Sequence, residues 1–201
     1  MHLSSVLYFI TEFGDQAVIL PFAITVAITL AAAGARREAL IWCAALIVAL
    51  AGSLIAKVAF IPCGHLLPGL DIRSPSGHTT AAVAAYGGFA TLWVKLTRDS
   101  WTRAAFIAGA LAACVGIAVS RVLLGAHSVQ EVSLGTAIGL LAPIILYRVE
   151  PPASEPRPQP TLLLLLLPLS LTFLFHGATL PVENRIDWAA RAIMAWLGIC
   201  G

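Results

Sequence analysis

Ionisable side chains inside an apolar helix are costly, so those that persist mark a site, and this sequence gathers a set of them at the ends of its apolar runs. Lys57 lies near the end of one run, in Ile55-Ala56-Lys57-Val58. Ser76, Gly77 and His78 open the next run, shortly after Arg73, while Ser120 and Arg121 close a third and His127 and Glu131 open a fourth. When consecutive runs cross a bilayer in alternating directions, all of these groups reach one face at similar depth. Lys57, Arg73 and Arg121 offer cationic donors for an oxyanion, and arginine adds a planar fork that fits phosphate. A helix opening near Ser76 contributes free backbone N–H groups, and Gly77 lets an anion approach the backbone. Two imidazoles complete the requirement for covalent phosphoryl transfer, in which one attacks phosphorus while neutral and the other protonates the leaving oxygen. His127 and Glu131 are four apart, on one helix face, so the carboxylate can hold one ring nitrogen and leave the other free as nucleophile.

The elements that must position these residues follow from composition. Of 201 residues, 59% are apolar and 11% charged, and mean hydropathy is +0.91. Soluble domains are nearer half apolar and a quarter charged, so a water-soluble domain and a disordered chain are both excluded. The expected fold is all-α, a single polytopic membrane domain over 1–201 built as a six-helix transmembrane bundle. The apolar runs place spans at 15–34, 39–61, 76–96, 103–122, 128–147 and 161–180. Residues 2–13 form either an interfacial helix or an extension of the first span, and the absence of Lys and Arg before Gly14 argues against a cleavable signal peptide. Residues 148–160 read as a Pro-rich linker and 183–201 as an interfacial amphipathic helix. Pro168 interrupts the sixth run.

Loops one, three and five hold seven Lys and Arg residues, against five on the other side, where Lys57, Arg73 and Arg121 are candidate site residues. The positive-inside rule then puts the site and both termini outside the cytoplasm, on the periplasmic face of a bacterial inner membrane. The net charge of +2 gives no reason to expect nucleic-acid binding. The four cysteines, Cys43, Cys63, Cys114 and Cys200, show no metal-ligand spacing. Cys63 and Cys200 fall on the same side, where a disulfide is feasible if that side is oxidising.

The pair Pro75-Ser76-Gly77-His78 and Ser120-Arg121, five residues, then His127 resembles the second and third motifs of the type 2 phosphatidic acid phosphatase superfamily, which includes integral-membrane lipid phosphatases. The resemblance covers about residues 40–147. It implies a six-helix membrane core, no metal and no other cofactor, with His127 as the phosphorylated nucleophile, His78 as the acid and Lys57, Ser76, Gly77 and Arg121 on the phosphate. Two positions depart from the family pattern. Gly64 and His65 stand where the first motif, begun by Lys57, has Arg-Pro, and Glu131 stands where the third motif usually ends with Asp. Arg73 is placed to supply the missing charge.

The expected activity is hydrolysis of a lipid phosphate or pyrophosphate, with membrane lipids as surroundings and a lipid phosphate as partner. The catalytic candidates are His127, His78 and Glu131; the phosphate-binding candidates are Lys57, Arg73, Ser76, Gly77, Ser120 and Arg121. A lipid phosphotransferase and an inactive lipid binder or transporter are the alternatives. Each residue also has a structural reading: Lys57 snorkelling to the interface, Ser74-Pro75 starting a helix, Arg121 capping one and Glu131 bridging to it. His65 and His176 read as interfacial residues.

Overall fold

A computed structural model describes residues 3–63, 72–149 and 162–198, and the described residues are helical throughout, with turns between. In chain order the helices are α1 (Leu3–Glu12), α2 (Gln16–Ala32), α3 (Arg36–Cys63), α4 (Gly77–Ala82), α5 (Gly88–Leu96), α6 (Ser100–Leu123), α7 (Val129–Gly139), α8 (Leu141–Arg148), α9 (Leu162–Leu174) and α10 (Val182–Leu197). Between α4 and α5 the chain makes a π-helical turn, Val83–Gly87, without leaving the helical path.

Four stretches are long and apolar enough to cross a membrane: Leu3–Ala32, Arg36–Ile61, Ser100–Leu123 and Val129–Arg148. Among the described residues the chain is all-helical, and four of the six expected spans coincide with helices long and apolar enough to cross a membrane. The third, Gly77–Leu96, opens on His-Thr-Thr and carries paired glycines at Gly87 and Gly88, which lower its hydropathy. It is also enclosed by protein, with Thr79 to Ala82, Val83 to Ala85, Phe89, Ala90, Leu92 and Trp93 all buried, so it has little need of an apolar face toward lipid. The sixth, α9, has 13 residues. At 1.5 Å per residue that is about 20 Å, short of a hydrocarbon core of about 30 Å. The expected linker at 148–160 lies mostly outside the described residues, as do His65 and Cys200.

The core is centred on Trp42 of α3, fully buried, whose indole N–H donates to the Ala23 carbonyl of α2 at 2.9 Å. Phe22 meets Tyr86 and Phe89 edge to face, and Phe89 leads through a tilted contact with Trp93 to a stacked Trp93–Phe106 pair with centroids 4.4 Å apart. α9 lies along α2, α1 against α6, and α10 across α3.

The contact that matters most for the site is α4 against α7. Gly135 and Gly139, one helical turn apart, remove the side chains that would hold the two backbones apart. A Cβ on Gly135 would lie 2.7 Å from the Ser76 carbonyl oxygen, and one on Gly139 would lie 2.8 Å from that of Thr80. Both obstacles are backbone, so neither can swing aside. Gly135→Ala is therefore expected to push α4 from α7, destabilising the protein by about 1–3 kcal/mol, with a lowered Tm in detergent. An unchanged Tm would mean that the two helices are not in backbone contact.

Candidate active site

Alternation of direction brings the C-terminal ends of α3 and α6 and the N-terminal ends of α4 and α7 to one end of the bundle. There the sequence-predicted residues meet. Glu131, 5% exposed, is the hub. Its Oε2 accepts from the Ser128 backbone N–H at 3.1 Å and lies 2.9 Å from Nδ1 of His127. Its Oε1 accepts from the backbone N–H groups of Arg73 and Ser74 at 2.7 and 2.9 Å. The Ser128 hydroxyl in turn accepts from the Glu131 N–H at 3.2 Å, which closes a capping box at the start of α7. One carboxylate thus starts α7, orients the His127 ring through Nδ1 and ties down the segment that leads into α4. The structural reading of Glu131 as a bridge to Arg121 does not hold, because its oxygens are taken by these partners.

Ser76 is fully buried as the N-cap of α4. Its N–H donates to the Glu131 carbonyl at 3.1 Å, and its hydroxyl receives the Thr79 hydroxyl at 3.0 Å. The helix start falls here and not at Ser74-Pro75. The Ser120 hydroxyl donates to the Ile117 carbonyl at 2.7 Å. Both serine hydroxyls are engaged within the protein, so what Ser76 offers an anion is the helix start that it caps. Arg73 is exposed and lines the pocket.

Lys57 is 5% exposed, which disposes of snorkelling. Its ammonium donates to Oε1 of Glu183 at 3.2 Å, and Arg121 Nη2 stands 4.0 Å from Oε2 of the same carboxylate. Gly77 faces this cluster, since a Cβ there would meet Glu183 Oε1 at 2.9 Å and the Lys57 Nζ at 3.6 Å. Arg121 keeps a buried Nε with no hydrogen-bond partner among the described residues. A buried guanidinium N–H left unpaired is a place where an anion would be bound. The cavity beside these groups has a volume of about 600 Å³ and is lined by Lys57, Arg73, His127 and Glu131, with Glu183 and Asp187 from α10.

His78 and His127 belong to one electrostatic cluster, acting on each other and both on Arg121 and Glu183. His127 sits in the loop between α6 and α7, its side chain 8% exposed. Burial lowers its basicity below that of an ordinary imidazole, and the hydrogen bond to Glu131 recovers only part of the loss. The ring is accordingly neutral at neutral pH, with Nδ1 held and Nε2 available. Burial alone would raise the Glu183 carboxyl; the charge and hydrogen bond of Lys57, together with His78 and His127, outweigh it and hold the group below the usual carboxylate range.

Two participants were not anticipated. Glu183 falls in the segment that the sequence assigns to a surface helix, and α10 is indeed amphipathic, with Trp188 and Trp196 exposed. Its first turn nevertheless reaches the cation pocket. Asp15 is 7% exposed as the N-cap of α2, and its Oδ2 lies 3.7 Å from Nε2 of His78. The start of the first span was the available signal, because a capping Asp there falls on the same end of the bundle as Lys57 and His127.

Two imidazoles beside a cation pocket, at one end of an apolar helical bundle, form an arrangement with the groups that phosphoryl transfer requires. The model of the PAP2 superfamily matches residues 59–155, the segment that carries both histidines. Members of that superfamily are in general phosphatases. A curated relative, the "Uncharacterized 22.5 kDa protein in cps region" of Klebsiella pneumoniae, is 36% identical over 135 residues, which is 65% of this chain and 62% of that protein. The chain thus spans less than two thirds of that relative's length. No solved structure matches significantly.

Any anion held by Lys57 and Arg121 competes with Glu183 for the same donors. Glu183→Gln is expected to tighten inhibition by orthovanadate about threefold to tenfold, the modest range reflecting a half-exposed pair; weaker inhibition would place Glu183 among the groups that help bind the anion. The pH profile of kcat/KM provides a second check. Because His127 acts while neutral, activity falls as pH drops through its lowered pKa, so the acid limb should lie below the ordinary imidazole value of about 6.5. Glu131→Gln removes the contact that raises that pKa, so the limb should move to still lower pH while the rate falls about 10²–10⁴-fold.

Proposed function

We propose that the protein is a lipid phosphatase that removes a terminal phosphate from a lipid phosphate or lipid pyrophosphate, through a phosphohistidine, at the periplasmic face of a bacterial inner membrane. The observation that carries this reading is the His127–Glu131 pair at 2.9 Å beside the cation pocket. A binding protein needs Lys57 and Arg121 but has no use for a neutral imidazole whose Nδ1 is held by a buried carboxylate.

In the first step the Nε2 lone pair of His127 forms a bond to phosphorus, and the bond from phosphorus to the lipid oxygen breaks. The electron pair leaves with that oxygen, which takes a proton from His78. Lys57, Arg121 and the N–H groups at the start of α4 balance the charge that builds on the equatorial oxygens, a form of preorganised electrostatics worth several kcal/mol. In the second step water gives a proton to His78 and attacks phosphorus, and the N–P bond breaks with its electrons returning to His127. Inorganic phosphate departs and both imidazoles regain their starting states. The cationic side chains supply the positive charge that this chemistry requires, so no metal is assigned a step.

The site lies at the end of the bundle, where a headgroup can enter while its tail stays in lipid. The amphipathic α10, with Trp188 and Trp196 exposed, supports an interfacial position for the pocket mouth. The periplasmic side follows from the distribution of Lys and Arg.

Purified protein in detergent with EDTA should release inorganic phosphate from at least one of phosphatidic acid, phosphatidylglycerol phosphate, undecaprenyl pyrophosphate and lipid A. His127→Ala should abolish release and the acid-labile phosphoenzyme trapped by rapid quenching. Phosphate release retained by His127→Ala would show the nucleophile to be elsewhere, and loss of all wild-type activity in EDTA would show that a metal takes part. Accumulation of a newly phosphorylated lipid in place of free phosphate would instead indicate a phosphotransferase.

A further inference from the structure

The phosphatase reading assigns a carboxylate to one imidazole only. We propose that Asp15 is the corresponding positioning residue for the other: its carboxylate faces Nε2 of His78, favours the protonated form of that ring in its role as acid and leaves Nδ1 to deliver the proton to the leaving oxygen. This rests on the function proposed above and extends it to a residue outside the matched family segment, at the junction of α1 and α2.

The geometry has three parts. Asp15 is buried and its two oxygens are divided between tasks. Oδ1 accepts from the Ala17 N–H at 2.8 Å, capping α2, and from the Leu180 N–H at 3.3 Å, while Oδ2 faces His78 Nε2 at 3.7 Å. The capping bond and the Leu180 bond fix the carboxylate from two directions, so it is not free to turn to solvent. The corner is also docked closely on His78. A Cβ on Gly14 would lie 3.2 Å from both the Cβ and the carbonyl oxygen of His78, and 2.9 Å from Ile117 Cγ2. Glycine at that position lets Asp15 reach the imidazole.

The surrounding charges explain why such a partner is needed. Arg121 from α6 and His127 from the α6–α7 loop act on His78, as do Glu183 from α10 and Asp15. α3 contributes Lys57 on the Gly77 side, and α7 contributes Glu131, whose oxygens are taken by His127, Ser128, Arg73 and Ser74. Glu183 is engaged with Lys57 and Arg121. Asp15 is thus the carboxylate in ion-pair reach of His78. At 3.7 Å the contact is longer than a hydrogen bond, and catalytic contacts of this kind often tighten only when substrate is bound.

Asp15→Asn separates charge from structure, because asparagine is as good an N-cap as aspartate. Proton delivery matters for an alkyl leaving group and little for an activated one. On dioctanoyl phosphatidic acid, Asp15→Asn should lose about tenfold to a hundredfold in kcat, the lower part of the range for general acid catalysis, while changing turnover of p-nitrophenyl phosphate by less than about threefold. Removing the negative charge leaves the protonated ring less stabilised, so the alkaline limb of kcat/KM for phosphatidic acid should move to lower pH. Asp15→Ser, another neutral N-cap, should repeat the pattern, and both variants should keep the wild-type Tm within a few degrees. Equal losses on both substrates, or no loss on either, would overturn the inference while leaving the phosphatase reading intact. A wild type that hydrolyses neither substrate nor any lipid of the panel would overturn both.

Discussion

Four contacts to one buried carboxylate hold this site together. Glu131 receives three backbone N–H groups, two from the approach to α4 and one from the α7 cap, and touches the His127 ring. Hydrogen bonds to a charged acceptor are roughly twice as strong as neutral ones, and leaving such a group unpaired costs far more than any single contact contributes. The carboxylate therefore acts as a constraint on position. If the segment before α4 moved by a bond length, Glu131 would lose two donors, and His127 would lose its orientation with them. The glycine-lined contact between α4 and α7 makes the same demand through packing, and it acts on the carbonyl of Ser76, the residue that caps α4. Nucleophile and anion-binding helix start are consequently one unit, though α4, α5 and α6 lie between Ser76 and His127 in the chain.

The remainder of the fold is divided by polarity to suit that unit. Toward the other end of the bundle, the aromatic cluster around Trp42 and Phe89 is filled by dispersion and edge-to-face contacts, with the Trp42 indole N–H satisfied by a backbone carbonyl. At the site end, buried ionisable groups are paired among the described residues: Lys57 with Glu183 and His78 with Asp15 across the bundle, and His127 with Glu131 locally. Such pairings are what allow ionisable groups to remain in an otherwise apolar bundle.

Legibility from sequence tracks how local each interaction is. The His127–Glu131 contact is a local i, i+4 pair across the start of α7, and spacing gives it directly. The convergence of Lys57, Gly77, Arg121 and His127 needs only alternating spans, and it too could be read. Orientation was not legible: Ser76 and Ser120 share the right depth, but their hydroxyls bond within the protein, a rotamer choice that residue type does not encode. The third span was recognised by position, yet its enclosure by the other helices, which explains its weak hydropathy, is a property of the assembled bundle. Glu183 and Asp15 were missed for a further reason. Lys57 and Glu183 lie 126 positions apart, and no periodicity links a surface helix to a pocket beneath it. Asp15 reads as an ordinary N-cap, which it is, and nothing in the sequence indicates that its second oxygen faces a histidine.

Glu183 also bears on how a cation pocket can exist before substrate arrives. Lys57 and Arg121 are nearly buried and of like charge, an arrangement that burial penalises unless an anion is near. The carboxylate from α10 supplies that anion, but incompletely. It carries one negative charge against two positive ones, stands 4.0 Å from Arg121 and leaves the Arg121 Nε without a partner. A carboxylate has two oxygens in a plane; a phosphate has more oxygens, a tetrahedral spread and a larger charge. The incoming group can thus make contacts that the resident one cannot, and the free energy of exchange comes from that difference. Because the Glu183 side chain is 40% exposed, it can be hydrated once displaced, which keeps the cost of leaving low. A fully buried carboxylate in its place would pair the cations better and yield less readily to phosphate.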